Sequence, residues 1–309
     1  MVKIFIDGEY GTTGLQIQQR LSKKNNLDIL SIPKADRYNT NLRIDYLRSS
    51  DITILCLPDH IARKTIDTIE QLKGCQTRII DTSTAHRTEK NWTYGFPELT
   101  KNQNIRISAA KRVSNPGCYP TGAISLIRPL RESGIIEADY PLTINAVSGY
   151  TGGGKKLIAT MELESHPHYF LYALRLNHKH IKEIMIHSQL YQTPIFTPAV
   201  SAFPQGMIIS IPLHMKLMKK KVNLTIIHEI LQKHYDGTNL IEVASIHEIL
   251  SKKEIHAEEL SHTDKMKIYI TGSRNGELAN LIAVLDNLGK GAAGAAIQNL
   301  NLMLENKYQ

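Results

Sequence analysis

VKIFIDGEYGTTGLQI, residues 2–17, decides how the first half of the chain is read. Its first six residues form a short apolar run of strand type, and TGLQIQQRL (13–21) carries its apolar positions at helical spacing. Between them stand Gly8, Gly11 and Gly14, each three residues from the next. A strand that turns on glycine into a helix presents bare backbone N–H groups at the positive end of that helix. Such a turn suits the pyrophosphate of a dinucleotide. The spacing is GxxGxxG rather than the commoner GxGxxG, and a tight turn without a ligand is the plain alternative. The candidate cofactor contacts here are Gly8, Gly11, Thr12, Thr13 and Gly14.

Outward from that turn, strand and helix signals alternate. LDILSIP (27–33), ITILCLP (52–58) and RIIDTS (78–83) are short apolar runs, and DHIARKTIDTIEQLKG (59–74) is amphipathic, with Asp59 placed to cap it and Gly74 to stop it. This alternation predicts a Rossmann-type α/β domain with a parallel sheet covered on both faces. An NAD site usually carries an acidic residue at the end of its second strand. Here Ser31, Lys34 and Arg37 occupy that stretch and can surround a 2′-phosphate, which favours NADPH/NADP+. Beyond residue 140 the pattern changes to LTINAVSG, IFTPAV, GMIISIPL, IEVASI, MKIYIT and LANLIAVL, read as strands, with VNLTIIHEILQKHY (222–235) as the clear helix. That predicts an α+β domain on a mostly antiparallel sheet, followed by DNLGKGAAGAAIQNLNLML (286–304) as a small-residue helix that packs back on the first domain. The expected divisions are 1–117, 118–285 and 286–309.

Composition sets outer limits. With 309 residues, 42% hydrophobic and 21% charged, the chain has the make-up of a globular protein of two domains. A formal charge of +8 invites a nucleic-acid reading, but the densest basic run, HMKLMKKKVN (214–223), lacks interleaved aromatics. No nucleic-acid partner is expected. No apolar stretch approaches a membrane span, and a strand signal directly after Met1 leaves no sign of a targeting peptide. Cys56, Cys75 and Cys118 are odd in number and form no CxxC pair, which fits a reduced, cytoplasmic setting.

SNPGCYPTGA (114–123) raises the chemical question. Cys118 follows a Pro-Gly turn and begins a run with helical spacing; Pro120 suits the first turn, where its missing N–H is harmless. At a helix start the macrodipole favours thiolate over thiol. Asn115 and adjacent backbone N–H groups are candidates to hold an oxyanion. Cys56, inside an apolar run, reads as inert core. A thiol combined with a nicotinamide points to acyl chemistry: the sulfur attacks an activated acyl carbon, phosphate leaves, and the thioester is reduced to an aldehyde. A histidine is the natural proton carrier.

Taken together, FIDGEYGTTGLQI, DTSTAHR, YGFPEL, SNPGCYPTGA, INAVSGYTGGGK, HKHIKEI, PIFTPAV, QGMIISIPL and DNLGKGAAGAAIQNLNLML resemble the short form of the N-acetyl-γ-glutamyl-phosphate reductase family, within the aspartate-semialdehyde dehydrogenase-like superfamily. The resemblance runs from the first strand to the last helix. It implies NADPH-dependent reduction of N-acetyl-γ-glutamyl phosphate to the semialdehyde with release of phosphate, a step of arginine biosynthesis. It makes Cys118 the nucleophile, and His178 and His180 the acid/base candidates, with Glu183 orienting the substrate or a histidine. Lys182 stands where the family usually has proline. Ser148 and Gly149 resemble the loop beside the nicotinamide, and Asn287 an asparagine near the cofactor amide. Arg87 and Lys155 are candidate anchors for substrate phosphate or carboxylate. The superfamily implies a homodimer or homotetramer. Alternatives are reduction of aspartyl or N-acetyl-aminoadipyl phosphate, or a non-enzymatic NADP sensor. HPH (166–168) and HKH (178–180), with Glu162, Glu164 and Glu183 nearby, offer metal-ligand spacing, but the reductase chemistry needs no metal, and none is expected.

Overall fold

Residues 1–305 are described by a computed structural model, in which two compact units are each built around their own sheet. The first comprises residues 1–97, 101–116 and the chain from Ala292 onward. Its elements are β1 (Val2–Asp7), α1 (Thr12–Leu21), β2 (Leu27–Leu30), α2 (Thr40–Ser49), β3 (Ile52–Leu55), α3 (Asp59–Gln71), β4 (Arg78–Asp81), β5 (Thr93–Tyr94), α4 (Gln103–Ala109) and β6 (Arg112–Ser114). Every strand pairing is parallel, in the order β2-β1-β3-β4-β6-β5.

Successive residues of a strand face opposite sides of a sheet, so a sheet buried on both sides needs unbroken apolar runs. Ile4 and Ile6 of β1, with Ile52, Ile54 and Ile80, pack beneath Ile17 of α1 and Ile107 of α4. Phe5, one residue out of step, meets Leu47 of α2 on the other face, while Leu55 and Ile79 lie under Ala62 and Ile66 of α3. The strand order reverses between β1 and β3, and ligands of open α/β sheets bind beyond the carboxyl ends of strands at such a point. The glycine turn leaves β1 there. Asp59, read as a cap, is instead the first residue of α3, after Pro58, and its carboxylate accepts the Thr84 N–H at 2.9 Å.

The second unit comprises residues 98–100 and 117–291. Its elements are α5 (Cys118–Glu132), β7 (Thr143–Gly149), α6 (Gly154–Met161), β8 (Tyr169–Leu171), α7 (His180–Ser188), β9 (Ile195–Ser201), β10 (Met207–His214), α8 (Leu224–Tyr235), β11 (Ile241–Val243), α9 (Ile246–Ser251), β12 (Met266–Gly272) and β13 (Leu278–Leu285). The sheet order is β11-β12-β13-β10-β7-β9-β8. Four pairings are antiparallel and two, β11 with β12 and β7 with β9, are parallel. Helices α5 and α8 lie on one face, joined where the Tyr235 hydroxyl donates to Ser125 O at 2.8 Å.

IEVASI divides: β11 ends at Val243, and Ser245 caps α9 by accepting the Glu248 N–H at 3.1 Å. The run from Asp286 contains a π-helical turn over Gly289–Ala293 before α10 (Gly294–Glu305). Helix α10 belongs to the first unit, where Ala296, Leu300 and Met303 join the core under β1, and Asn299 Nδ2 donates to Gly95 O at 2.9 Å.

Candidate active site

In the first unit the chain after β1 has room only for glycine. Gly8 has φ +93°, and a Cβ on it would lie 2.4 Å from Cys56 O. A Cβ on Gly14 would lie 2.4 Å from Gly8 O. The turn is therefore folded against both β3 and the start of α1. Gly11 precedes that helix with no side chain capping it, so the first-turn N–H groups of Thr12, Thr13 and Gly14 have no capping side chain in front of them. This glycine-walled, positively polarised helix start fits a dinucleotide pyrophosphate. Lys34 and Arg37 are exposed beyond β2, with Arg37 stacked 4.7 Å over the Tyr38 ring. The Ser31 hydroxyl donates to the Glu9 carboxylate at 2.8 Å.

Arg87 and Asn115 also belong to this unit, and both are buried. Arg87 donates to Asn115 O at 2.8 Å and to Thr82 O at 2.9 Å. The Asn115 amide donates to Ala292 O at 3.0 Å and accepts from Asn299 at 2.9 Å. In this structure these two expected substrate contacts hold the backbone around residues 82, 115 and 292.

In the second unit α5 starts at Cys118 itself. From Val113 to Ile127 every residue is buried except Cys118, which is partly exposed. Cys118 is thus the one partly exposed residue of this buried stretch. Cys56 is as a residue also partly exposed, but loss of hydration at its sulfur, followed by Asp7 and Asp81, pushes its thiol up to about 12 against a hydrogen bond from Thr82. That thiol stays protonated and inert.

Three expected partners gather at the same helix start. The buried Glu183 carboxylate accepts the Gly117 N–H at 2.8 Å, fixing the residue that precedes Cys118. The His178 and His180 rings lie 4.7 Å apart, and each is 6.0 Å from the ring of Tyr119, the next residue after Cys118. Burial, and secondarily Lys179, lowers His178 to about 4. It is therefore neutral at pH 7, and because its Nδ1 accepts the His180 N–H at 3.1 Å, the ring proton sits on Nε2.

This shift carries a sign that can be measured. Unfolded His178 titrates near 6.5 and folded His178 near about 4, so the unfolded chain binds more protons between those values. His178 thus makes stability fall as pH drops from 6.5 towards 4 and leaves it unchanged above that window. Thermal unfolding followed across this range should show a shallower pH slope in His178→Gln than in the parent. Equal slopes would contradict the assignment.

Ser148 is buried at the end of β7, and Gly149 packs so closely on Pro204 that a Cβ would lie 2.5 Å from its carbonyl oxygen. Asn287, expected beside the cofactor amide, accepts the Gly206 N–H at 2.9 Å and donates to Thr151 Oγ1 at 3.0 Å, tying together the loops after β7 and before β10. Lys155 is exposed on α6. His166 and His168 face each other at 5.4 Å on an exposed stretch, and among the described residues no group of three or more His, Cys, Asp or Glu is placed to hold a metal.

Other residues emerge only in three dimensions. A Cβ on Gly291 would lie 2.8 Å from the Cys118 Cβ and 3.3 Å from its Cα, so this glycine packs directly against the cysteine. Beside it, Lys290 is fully buried and paired with Glu98 at 2.8 Å; removing one partner of such a pair costs about 3–5 kcal/mol. Asp286 holds the turn by accepting the N–H groups of Leu288 and Gly289 at 2.7 and 2.9 Å. The signal for Gly291 lay in the run of small residues from Gly289; nothing in the sequence paired Lys290 with Glu98.

A glycine-walled turn that fits a pyrophosphate in one unit and, in the other, a partly exposed cysteine at a helix start whose next residue packs on two histidines accord with a dehydrogenase of the semialdehyde dehydrogenase class. Family models described as "Semialdehyde dehydrogenase, NAD binding domain" and "Semialdehyde dehydrogenase, dimerisation domain" match residues 14–107 and 118–287. In fold the chain is similar to aspartate semialdehyde dehydrogenase from Francisella tularensis (TM-score 0.72, 14% identity, 98% of this chain and 100% of that one). It is equally similar to aspartate semialdehyde dehydrogenase II complexed with ASA from Vibrio cholerae (TM-score 0.71, 12% identity, 99% and 98%). In sequence it is 52% identical over 307 residues, 98% of both chains, to the N-acetyl-gamma-glutamyl-phosphate reductase of Brucella suis, and to the same extent to that of Brucella abortus. The chain belongs to the N-acetyl-γ-glutamyl-phosphate reductase family.

Proposed function

We propose that the protein reduces N-acetyl-γ-glutamyl phosphate to N-acetyl-glutamate 5-semialdehyde with NADPH, releasing inorganic phosphate, in arginine biosynthesis. One observation carries the mechanism: Cys118 is the one partly exposed residue of an otherwise buried helix start, and the His178–His180 pair packs on its neighbour Tyr119. The Cys118 sulfur attacks the acyl carbon, the C–O bond to phosphate breaks, and a thioester forms as phosphate leaves. Bound NADPH supplies the hydride that reduces this thioester. The tetrahedral oxyanion left by hydride addition then collapses, and its C–S bond breaks to give the aldehyde and restore the Cys118 thiolate.

His178, neutral with its proton on Nε2, donates a hydrogen bond to the acyl oxygen as negative charge builds on it. His180 exchanges the proton with Cys118 and the departing product. Glu183 keeps Gly117, and with it the sulfur, in place. Gly8, Gly11 and Gly14 receive the pyrophosphate, and Lys34 and Arg37 the 2′-phosphate. Lys155 and Arg87 remain the proposed cationic contacts for substrate.

Self-association belongs to the same reading. Asn145, Ile195 and Pro212 are exposed and Thr197, Ser210 and Asn280 partly so, at alternate positions on the face of the second sheet opposite α5 and α8. A second copy of the chain covering that face would give the homodimer for which the matched family model is described.

The assay runs the reaction in reverse: N-acetyl-glutamate semialdehyde, NADP+ and phosphate are expected to yield NADPH, with none formed when phosphate is omitted. Aspartate semialdehyde should give a kcat/KM lower by about 10²-fold or more. No phosphate-dependent turnover with the acetylated substrate would overturn the proposal.

A further inference from the structure

Between Leu288 and Ile297 the chain reads GKGAAGAA, where Lys290 alone has a side chain longer than a methyl group. This stretch includes the π-helical turn Gly289–Ala293, in which the Gly291 N–H reaches back five residues to Asp286 O at 2.9 Å. Such turns are rare in helices and recur at functional sites. Glycine-rich backbone has the most freedom to lose on folding, so its geometry must be imposed by its surroundings. The Asp286 carboxylate does this at the start of the turn. Within the turn, Lys290 is the side chain long enough to do it. Fully buried, its Nζ donates to the two Glu98 carboxylate oxygens at 2.9 and 2.8 Å. Glu98 is held in turn, because its backbone oxygen accepts from His234 Nε2 of α8 at 3.0 Å.

A buried ion pair is weak evidence for stability, since apolar side chains of similar volume often serve as well or better. What apolar contact lacks is direction, and charge-assisted hydrogen bonds supply it. This one acts next to Gly291, which packs against Cys118 with no room for a Cβ. We propose that Lys290 and Glu98 are positioning residues for the reaction: their ion pair sets the π-helical turn that places Gly291 against Cys118, and thereby where the sulfur stands for attack. This rests on the function proposed above, with Cys118 as nucleophile. The pair acts through the backbone of the turn.

The test compares the parent, Lys290→Met, and the double variant Lys290→Met with Glu98→Leu. The single variant leaves a buried carboxylate without its cation and should lose both unfolding temperature and kcat. The double variant removes both charges and should regain the unfolding temperature, because the space is refilled with apolar groups. Its kcat should stay about ten- to a hundredfold below the parent, the loss expected when a reacting atom is displaced by up to about 1 Å. KM should stay within about twofold, which separates misplacement from a binding defect. Amide hydrogen exchange supplies a readout besides activity: the Gly291 N–H should exchange about tenfold or more faster in the double variant. Should the double variant fail to fold, Glu98→Gln, which keeps the shape and one acceptor oxygen, is expected to shift exchange and kcat in the same directions. A folded variant with parental kcat, or with faster exchange at Gly291 and unchanged kcat, would overturn the proposal and leave the pair a structural one. If the parent itself shows no phosphate-dependent turnover, the proposed function fails, and the positioning role fails with it.

Discussion

Cys118→Ala is expected to lower kcat by about 10⁴-fold or more, because the variant has no atom to carry the acyl group between loss of phosphate and reduction. Dissociation constants for NADPH should stay within about twofold, since the glycine turn is built in the other unit of the chain. Alanine fits the space of cysteine at the start of α5, where Tyr119 to Ile127 are already buried, so the fold should be kept. Cys118→Ser separates two accounts of the sulfur. If position alone sufficed, a serine hydroxyl would retain measurable turnover; if a readily ionised nucleophile is needed, it would be nearly as inactive as alanine. The second outcome is expected. Retention of a tenth or more of the activity in either variant would remove Cys118 from the mechanism.

Gly291→Ala should have the next largest effect, although Gly291 touches no substrate in the proposed mechanism. The added methyl would sit 2.8 Å from the Cys118 Cβ, shorter than side chains tolerate, and a tight 3.0 Å from Asp286 O. The turn cannot easily recede, because the Gly291 N–H is bonded to Asp286 O at 2.9 Å and the Asp286 carboxylate holds Leu288 and Gly289. The cysteine end must therefore shift, by tenths of an ångström. Displacing a reacting atom by about 1 Å costs about 10²-fold in rate, so a loss of about ten- to a hundredfold in kcat is expected. The readout that distinguishes misplacement from unfolding is a kcat loss with little change in NADPH binding or in the unfolding temperature. Unchanged kcat would show that the packing against Cys118 can yield.

The parts of the fold that were legible in the sequence are those set by local backbone and periodicity. Gly8 and Gly14 announced themselves because only glycine suits that turn, and β1, α1 and α3 followed from apolar spacing. Helix α2 escaped because it buries only Leu47, although its cap was visible in Asn39, which accepts the Leu42 N–H at 3.2 Å. Helix α7 was read as a histidine motif rather than as a helix, yet His180, Glu183, Ile184 and Ser188 recur at helical spacing on its buried side.

The candidate site was less legible, for physical reasons. The contact between Glu183 and Gly117 joins positions 66 residues apart, and Lys290 meets Glu98 across 192, distances over which spacing carries no information. Motif position indicated that Asn287 and Asn115 matter. It did not reveal that their amides are engaged by Gly206, Thr151, Ala292 and Asn299.

The most direct test of the central claim omits the reductant. The intact protein mixed with N-acetyl-γ-glutamyl phosphate and no NADPH should release one phosphate per active subunit and gain the mass of one N-acetylglutamyl group, located by peptide mass spectrometry on Cys118. Adding NADPH should then discharge the adduct as aldehyde. Phosphate-dependent turnover in a protein that never acquires this adduct, or acquires it on another residue, would contradict the mechanism.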